Sequence, residues 1–299
     1  MVLGPLTLAT PIVLASGTWG YGPEVAPYLG WHRIGALVPK GLTREPWPGN
    51  PFPRIVETTG AILNSVGLQN VGLDAFLAEK LPQIRDYPTV RLANISGRTL
   101  EDYPAMAARL SGVAGIDGIE VNVSCPNVKA GGAAFGLDAQ AVGGIVREVR
   151  AAAPHAPLFI KLSPNVTRIV PIAEAAMAAG ATGLTIANTF LGMAIDIEAR
   201  RPLLANSVGG LCGPATKPMA LRLVWEVARA MPGVPIIGVG GVRTAEDAIE
   251  FLMAGASAVG IATAALTDPR IAMEVVDGVE AWCAARGVES AAELVRAAH

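Results

Sequence analysis

The sequence offers a metal very little to hold. Its three cysteines, Cys125, Cys212 and Cys283, stand far apart with no Cys-x-x-Cys pair, and its three histidines, His32, His155 and His299, share no ligand spacing. An iron–sulfur or zinc framework of the chain's own is therefore not expected. An odd cysteine count without a disulfide pattern fits a reducing compartment, so a cytoplasmic location is expected. Basic runs are missing too, and the net charge is −2, which leaves no surface for nucleic acid. No uncharged apolar stretch reads as a membrane span. The first fifteen residues are apolar, but they lack a basic leader and are interrupted by Gly4, Pro5 and Pro11, so they do not read as a signal peptide.

What is present is apolar. Of 299 residues, 52% are hydrophobic and 16% charged, which excludes a disordered chain and demands a large core. Short, nearly continuous apolar runs predict strands at Ile12–Ala15, Ala36–Pro39, Val90–Ala93, Gly118–Val123, Leu158–Leu162, Gly183–Ala187, Ile236–Val239 and Ala258–Ile261, as parallel strands buried on both faces do. Helical patterns lie between most of them, at about Thr99–Leu110, Asp138–Ala152, Arg168–Ala179, Pro218–Ala230, Ala245–Ala254 and Pro269–Ala285. Asp138 and Thr244 suit N-caps, and Gly180 and Gly255 suit helix stops. Eight strands in this alternation predict a closed parallel (β/α) TIM barrel, one domain over residues 1–299. Residues 41–71 read as a long inserted loop carrying Pro46, Pro48, Pro51 and Pro53, a length that is usually functional.

In such barrels chemistry sits at the C-terminal strand ends. Those ends carry Ala15-Ser16-Gly17, Lys40, Asn94, Asn122, Lys161, Asn188-Thr189, Gly240-Gly241 and Thr263, with Asn127 just past the fourth strand. Four of the nine asparagines and two of the five lysines fall in this set. A strand-end asparagine alone is ordinary turn chemistry, and one lysine can snorkel to solvent. Spread over six strands, they describe a polar pocket above an apolar barrel, suited to a flat, hydrogen-bond-rich ligand with delocalised negative charge. The glycine turn after the seventh strand, with Gly213 nearby, suits a phosphate.

Cys125 follows the fourth strand in Asn122-Val123-Ser124-Cys125-Pro126-Asn127 and leads into Gly131, Gly132 and Gly136. Residues 124–136 thus read as a lid loop. Cys283, on an apolar helical face, reads as core. With no histidine at a strand end to form a thiolate nucleophile, proton transfer is the more economical role for Cys125.

These residues resemble class 1 dihydroorotate dehydrogenases over nearly the whole chain. The motifs that carry the resemblance are Asn122 to Asn127, Asn64-Ser65-Val66-Gly67-Leu68-Gln69-Asn70, Lys161-Leu162-Ser163-Pro164-Asn165 and Ile236 to Gly241. The resemblance implies FMN-dependent oxidation of dihydroorotate to orotate, with Cys125 as base at carbon 5. It implies substrate contacts from Asn64, Val66, Gly67, Leu68, Asn122, Asn127, Asn188 and Thr189. It implies FMN contacts from Ala15, Ser16, Gly17, Lys40, Asn94, Asn122, Lys161, Ile186, Gly213, Gly240, Gly241 and Thr263, and no metal.

Within the family, the lid sequence is most similar to the NAD-linked form, whose iron–sulfur and FAD centres belong to a partner subunit. A homodimer is also implied. The membrane-bound form carries an N-terminal extension, not expected here, and uses serine where this chain has Cys125. Cys212 replaces a usual serine, Ala262 a usual glycine, and Ala130 a larger lid residue. The alternatives are a fumarate-linked class 1A enzyme, a dihydropyrimidine dehydrogenase-type flavoenzyme, a Schiff-base aldolase using Lys161, and a non-enzymatic scaffold.

Overall fold

A computed structural model describes residues 1–124 and 135–299. Eight parallel strands close into a barrel in sequential order: β1 (Ile12–Leu14), β2 (Ala36–Leu37), β3 (Val90–Ile95), β4 (Gly118–Asn122), β5 (Leu158–Lys161), β6 (Gly183–Ile186), β7 (Ile236–Val239) and β8 (Ala258–Ile261). All eight predicted strands are found. Closure is made by β8 against β1, with Ile261 beside Leu14. There the Trp19 indole N–H donates to the Ile261 carbonyl at 2.7 Å.

Side chains alternate in and out along each strand. Val13, Ala36, Leu92, Phe159, Ile237 and Ala258 pack inside the barrel, whereas Ile12, Leu14, Ala93, Ile119, Leu158 and Ile160 pack against the helices. A two-stranded hairpin, Val2–Leu3 with Leu6–Thr7, plugs the N-terminal end, and Leu3 and Leu8 join the interior cluster.

Among the described residues, helices at Asp102–Leu110, Ala139–Ala152, Val170–Ala178, Lys217–Ala230, Ala245–Met253 and Ile271–Ala284 cover the barrel. The Asp138 carboxylate accepts from Ala141 N–H at 2.8 Å, and Thr244 forms a reciprocal capping box with Asp247, which closes both helix starts. Gly180 and Gly255 follow their helices at φ 103° and 110°, the left-handed geometry of a helix stop.

Two features depart from the sequence reading. Residues 41–71 are not a structureless loop. They contain the hairpin Ile55–Thr58 and Ala61–Asn64, which joins Val208–Cys212 and Phe190–Met193 in a four-stranded antiparallel sheet. Residues 73–84 are helical, although no helix was expected between β2 and β3. Among the described residues, no helix is long and apolar enough to cross a membrane.

Candidate active site

The inward parity of the strands builds the chamber floor. Where the lower layer is apolar, the upper layer holds Asn94 on β3, Glu120 and Asn122 on β4, Lys161 on β5 and Thr185 on β6. Asn94, Glu120 and Thr185 are each about 1% exposed and Lys161 is 6% exposed. Lys161 Nζ donates to Ser16 Oγ at 3.2 Å, and Asn94 Nδ2 approaches the same oxygen at 3.3 Å. Lys40, two residues beyond Val38 on the same parity, is half-buried. Burial, then the charges of Arg54 and Lys161, hold its ammonium below its ordinary value of 10.5. Among the described residues neither Lys40 nor Lys161 is ion-paired to a carboxylate.

The antiparallel sheet hangs over the mouth and brings Asn64 to it. Asn64 Nδ2 donates to the Gly210 carbonyl at 3.2 Å, and Cys212 Sγ lies 3.5 Å from that nitrogen. The next turn is braced from behind: Asn50 N–H donates to the Val66 carbonyl at 3.0 Å, and Asn70 Nδ2 to the Leu68 carbonyl at 2.7 Å. Gly67 and Leu68 both take positive φ, 74° and 57°.

Backbone groups settle which way the other mouth amides face. Asn122 Oδ1 accepts from Ser124 N–H at 3.1 Å and from Asn188 Nδ2 at 3.3 Å. Asn188 Oδ1 accepts from Thr189 N–H at 2.8 Å. A backbone N–H can only donate, so both carbonyls are turned toward the protein, and the Asn122 NH₂ and the second Asn188 N–H remain for a ligand. Ser124 Oγ donates to the Lys161 carbonyl at 3.1 Å, anchoring the chain one residue before Cys125. Cys125 and Asn127 lie outside the described residues.

At the far side of the mouth, Gly240 and Gly241 turn at φ 142° and 74°. A Cβ on Gly241 would lie 2.6 Å from the Lys217 backbone nitrogen, at the start of helix Lys217–Ala230, and one on Gly213 would lie 3.1 Å from Ala61 Cα. Gly17, at φ 107°, opens onto free space instead. Burial pushes up the pKa of the Cys212 thiol, against a lowering influence from Thr263 and Asn64. That thiol donates to the Ile62 carbonyl at 3.4 Å.

The expected site residues within the described chain gather at this mouth, with one qualification. The Ile186 side chain packs on the helix side, fully buried, because it alternates with the inward Thr185. Only its backbone reaches the chamber, where the Ile186–Ala187 peptide is cis. Glu120 and Thr185 went unnoticed in the sequence, although an acid midway along an apolar strand was a readable signal. None of the three histidines lies at the mouth: His32 belongs to the turn Trp31–Arg33, His155 precedes β5, and His299 stacks on Trp225.

The chamber suits a flavin mononucleotide. Two lysines without a carboxylate partner suit an electron-rich, anionic ring system, and a glycine turn against a helix start suits a phosphate. Fold and site together define a parallel β/α-barrel enzyme whose ligand chamber lies at the C-terminal mouth. The family model for dihydroorotate dehydrogenase matches residues 2–282, and the chain belongs to that family of flavin-dependent oxidoreductases acting on a CH–CH bond. It is 50% identical over 295 residues to the protein of Trichlorobacter lovleyi named dihydroorotate dehydrogenase B (NAD(+)), catalytic subunit, covering 99% of this chain and 96% of that one. A protein of the same name from Geotalea daltonii is 51% identical over 292 residues, covering 98% and 95%. A crystal structure of DHODH from Eimeria tenella in complex with ferulenol matches at TM-score 0.84 and 24% identity, over 100% of this chain and 88% of that one, and shows the fold.

Proposed function

We propose that this chain oxidises (S)-dihydroorotate to orotate in pyrimidine synthesis, with one FMN per chain and Cys125 as the base. The observation that carries this reading is the donor-rich chamber: Asn122 and Asn188, whose carbonyls are held by protein donors, beside two lysines that among the described residues have no carboxylate partner. Such a chamber matches a ring edged with carbonyl oxygens and a carboxylate. The second hydrogen of Asn64 Nδ2 faces only the weakly accepting Cys212 sulfur, so it is free for the carboxylate, together with the Val66–Leu68 turn. Asn127 and Thr189 complete the substrate set.

Lys40, Lys161, Asn94, Asn122, Ser16, Ala15, Gly17 and the Ile186 backbone would hold the flavin ring, and Gly213, Gly240, Gly241 and Thr263 its phosphate end. When bound, FMN supplies the acceptor for the hydride that leaves carbon 6. The chain's own task is at carbon 5, where Cys125 Sγ takes the proton. With no histidine at the mouth among the described residues, the Cys125 thiolate takes it without an imidazole partner and becomes the thiol. The lid at 124–136 excludes water during this step.

The electrons then pass to NAD through an iron–sulfur and FAD partner subunit, and the chain forms a homodimer in the cytoplasm. The words "catalytic subunit" in the relatives' names support a partner. Exposed Leu191, Met193, Ile195 and Ile197, at 61%, 50%, 58% and 79%, support an association surface beside the mouth.

The test is spectroscopic. The purified chain, loaded with FMN and kept anaerobic, is expected to be yellow and to bleach when dihydroorotate is added, and Cys125→Ser to bleach at least about a hundredfold more slowly. A chain that takes up no FMN, or a flavin that dihydroorotate leaves oxidised, would refute the reading.

A further inference from the structure

Glu120 lies in the middle of β4 and is 1% exposed. A carboxyl this far from water needs partners for both oxygens. It has them: Oε1 accepts from Asn94 Nδ2 at 2.6 Å and Oε2 from Thr185 Oγ1 at 2.6 Å. Neither partner is a cation, and among the described residues no ion pair reaches it. Among the described residues Glu120 therefore makes no direct ion pair with Lys161.

Its effect is on direction. The reverse orientation of Asn94 would set an amide carbonyl against a carboxyl oxygen, so the NH₂ must face Glu120. The other Nδ2 hydrogen lies toward Ser16 Oγ, which also receives Lys161 Nζ. Both approaching nitrogens can only donate, so the Ser16 hydroxyl must send its own hydrogen away from them. Asn94 Oδ1 is left facing Gly41, where an added Cβ would meet it at 2.5 Å. One buried carboxyl thereby sets an acceptor at Asn94 and a donor at Ser16.

We propose that Glu120 is a positioning residue for the flavin: acting through Asn94, it fixes the hydrogen-bonding polarity of the chamber floor against which the flavin's polar edge is selected. This rests on the FMN reading above. The readout is FMN affinity of the full-length apoprotein, followed by flavin fluorescence. Glu120→Leu is expected to weaken binding about ten- to a hundredfold, the effect of one or two unmatched buried polar groups. Glu120→Gln, which accepts from Asn94 through its carbonyl and donates to Thr185, should return it to within about threefold. In an Asn94→Ala background, Glu120→Leu should cost nothing further.

An equal cost in that background, or no cost in the native one, would overturn the proposal. Should Glu120→Leu not fold, the pair Glu120→Gln/Asn94→Asp decides. It keeps the space filled and the partners matched, but turns the Ser16 hydroxyl toward the new carboxyl at position 94. FMN affinity should then stay about tenfold weak, and native affinity would sink the idea. A native chain that binds no FMN removes the flavin reading itself, whereas native binding with an unaffected Glu120→Leu removes this proposal alone.

Discussion

Asn122 and Asn188 are joined amide to amide, with Asn188 Nδ2 3.3 Å from Asn122 Oδ1, and the bond can run in one direction only. Ser124 N–H fixes the first carbonyl and Thr189 N–H the second. The pair therefore offers nitrogen, not oxygen, to whatever binds. Asn122→Asp keeps the internal acceptor and removes the outward donor. Orotate affinity, measured by calorimetry, should fall about ten- to a hundredfold with little change in melting temperature. Unchanged affinity would mean that the donor face is not used.

Lys40 gives a pH dependence of definite sign. Its folded pKa lies below the ordinary 10.5 because burial and two neighbouring cations disfavour its charge. Affinity of the apoprotein for FMN should fall as pH rises through that lowered value. Stability runs the other way. Between the lowered value and 10.5 the unfolded chain holds a proton that the folded chain has lost, so stability of the apoprotein rises with pH across this window. Below the window the penalty is fully present. Lys40→Met should accordingly melt higher than the native apoprotein near neutral pH, with the gap closing at alkaline pH. A gap that widens with pH would contradict the assignment.

Gly241 tests the phosphate end. It sits at φ 74°, and a Cβ there would be 2.6 Å from the Lys217 backbone nitrogen. Gly241→Ala carries a conformational cost of about 1–2 kcal/mol and must push the helix start away. Both a lower melting temperature and a weaker FMN affinity are expected, the second read from released flavin fluorescence. Loss of stability with native FMN affinity would detach this turn from the cofactor.

The barrel strands were legible because strands covered on both sides must be apolar along their length, and the helix starts because Asp138 and Thr244 cap them. The antiparallel sheet was not. Ile55–Thr58 buries no residue fully and Val208–Cys212 only Gly209, so neither shows a continuous apolar run, and Gly209-Gly210 reads as a turn. Ile186 shows a different gap. The family resemblance put it among the flavin contacts, whereas alternation with Thr185 sends its side chain outward. Glu120 was passed over because the search took strand ends and not the layer beneath them.

The barrel closes between residues far apart in the chain. Trp19 Nε1 donates to the Ile261 carbonyl, 242 residues later in sequence, and β1 pairs on that side with β8. During synthesis the first strand must therefore wait, with one edge unpaired, until most of the polypeptide has emerged from the ribosome. At about 5–20 residues per second this is a delay of order ten seconds to a minute. The N-terminal hairpin buries Leu3 among residues drawn from β1 to β8, so it too finds its seat late. The first strand of the barrel is among the last to be secured, and the nascent enzyme passes through a long stage in which an open sheet edge is available to chaperones.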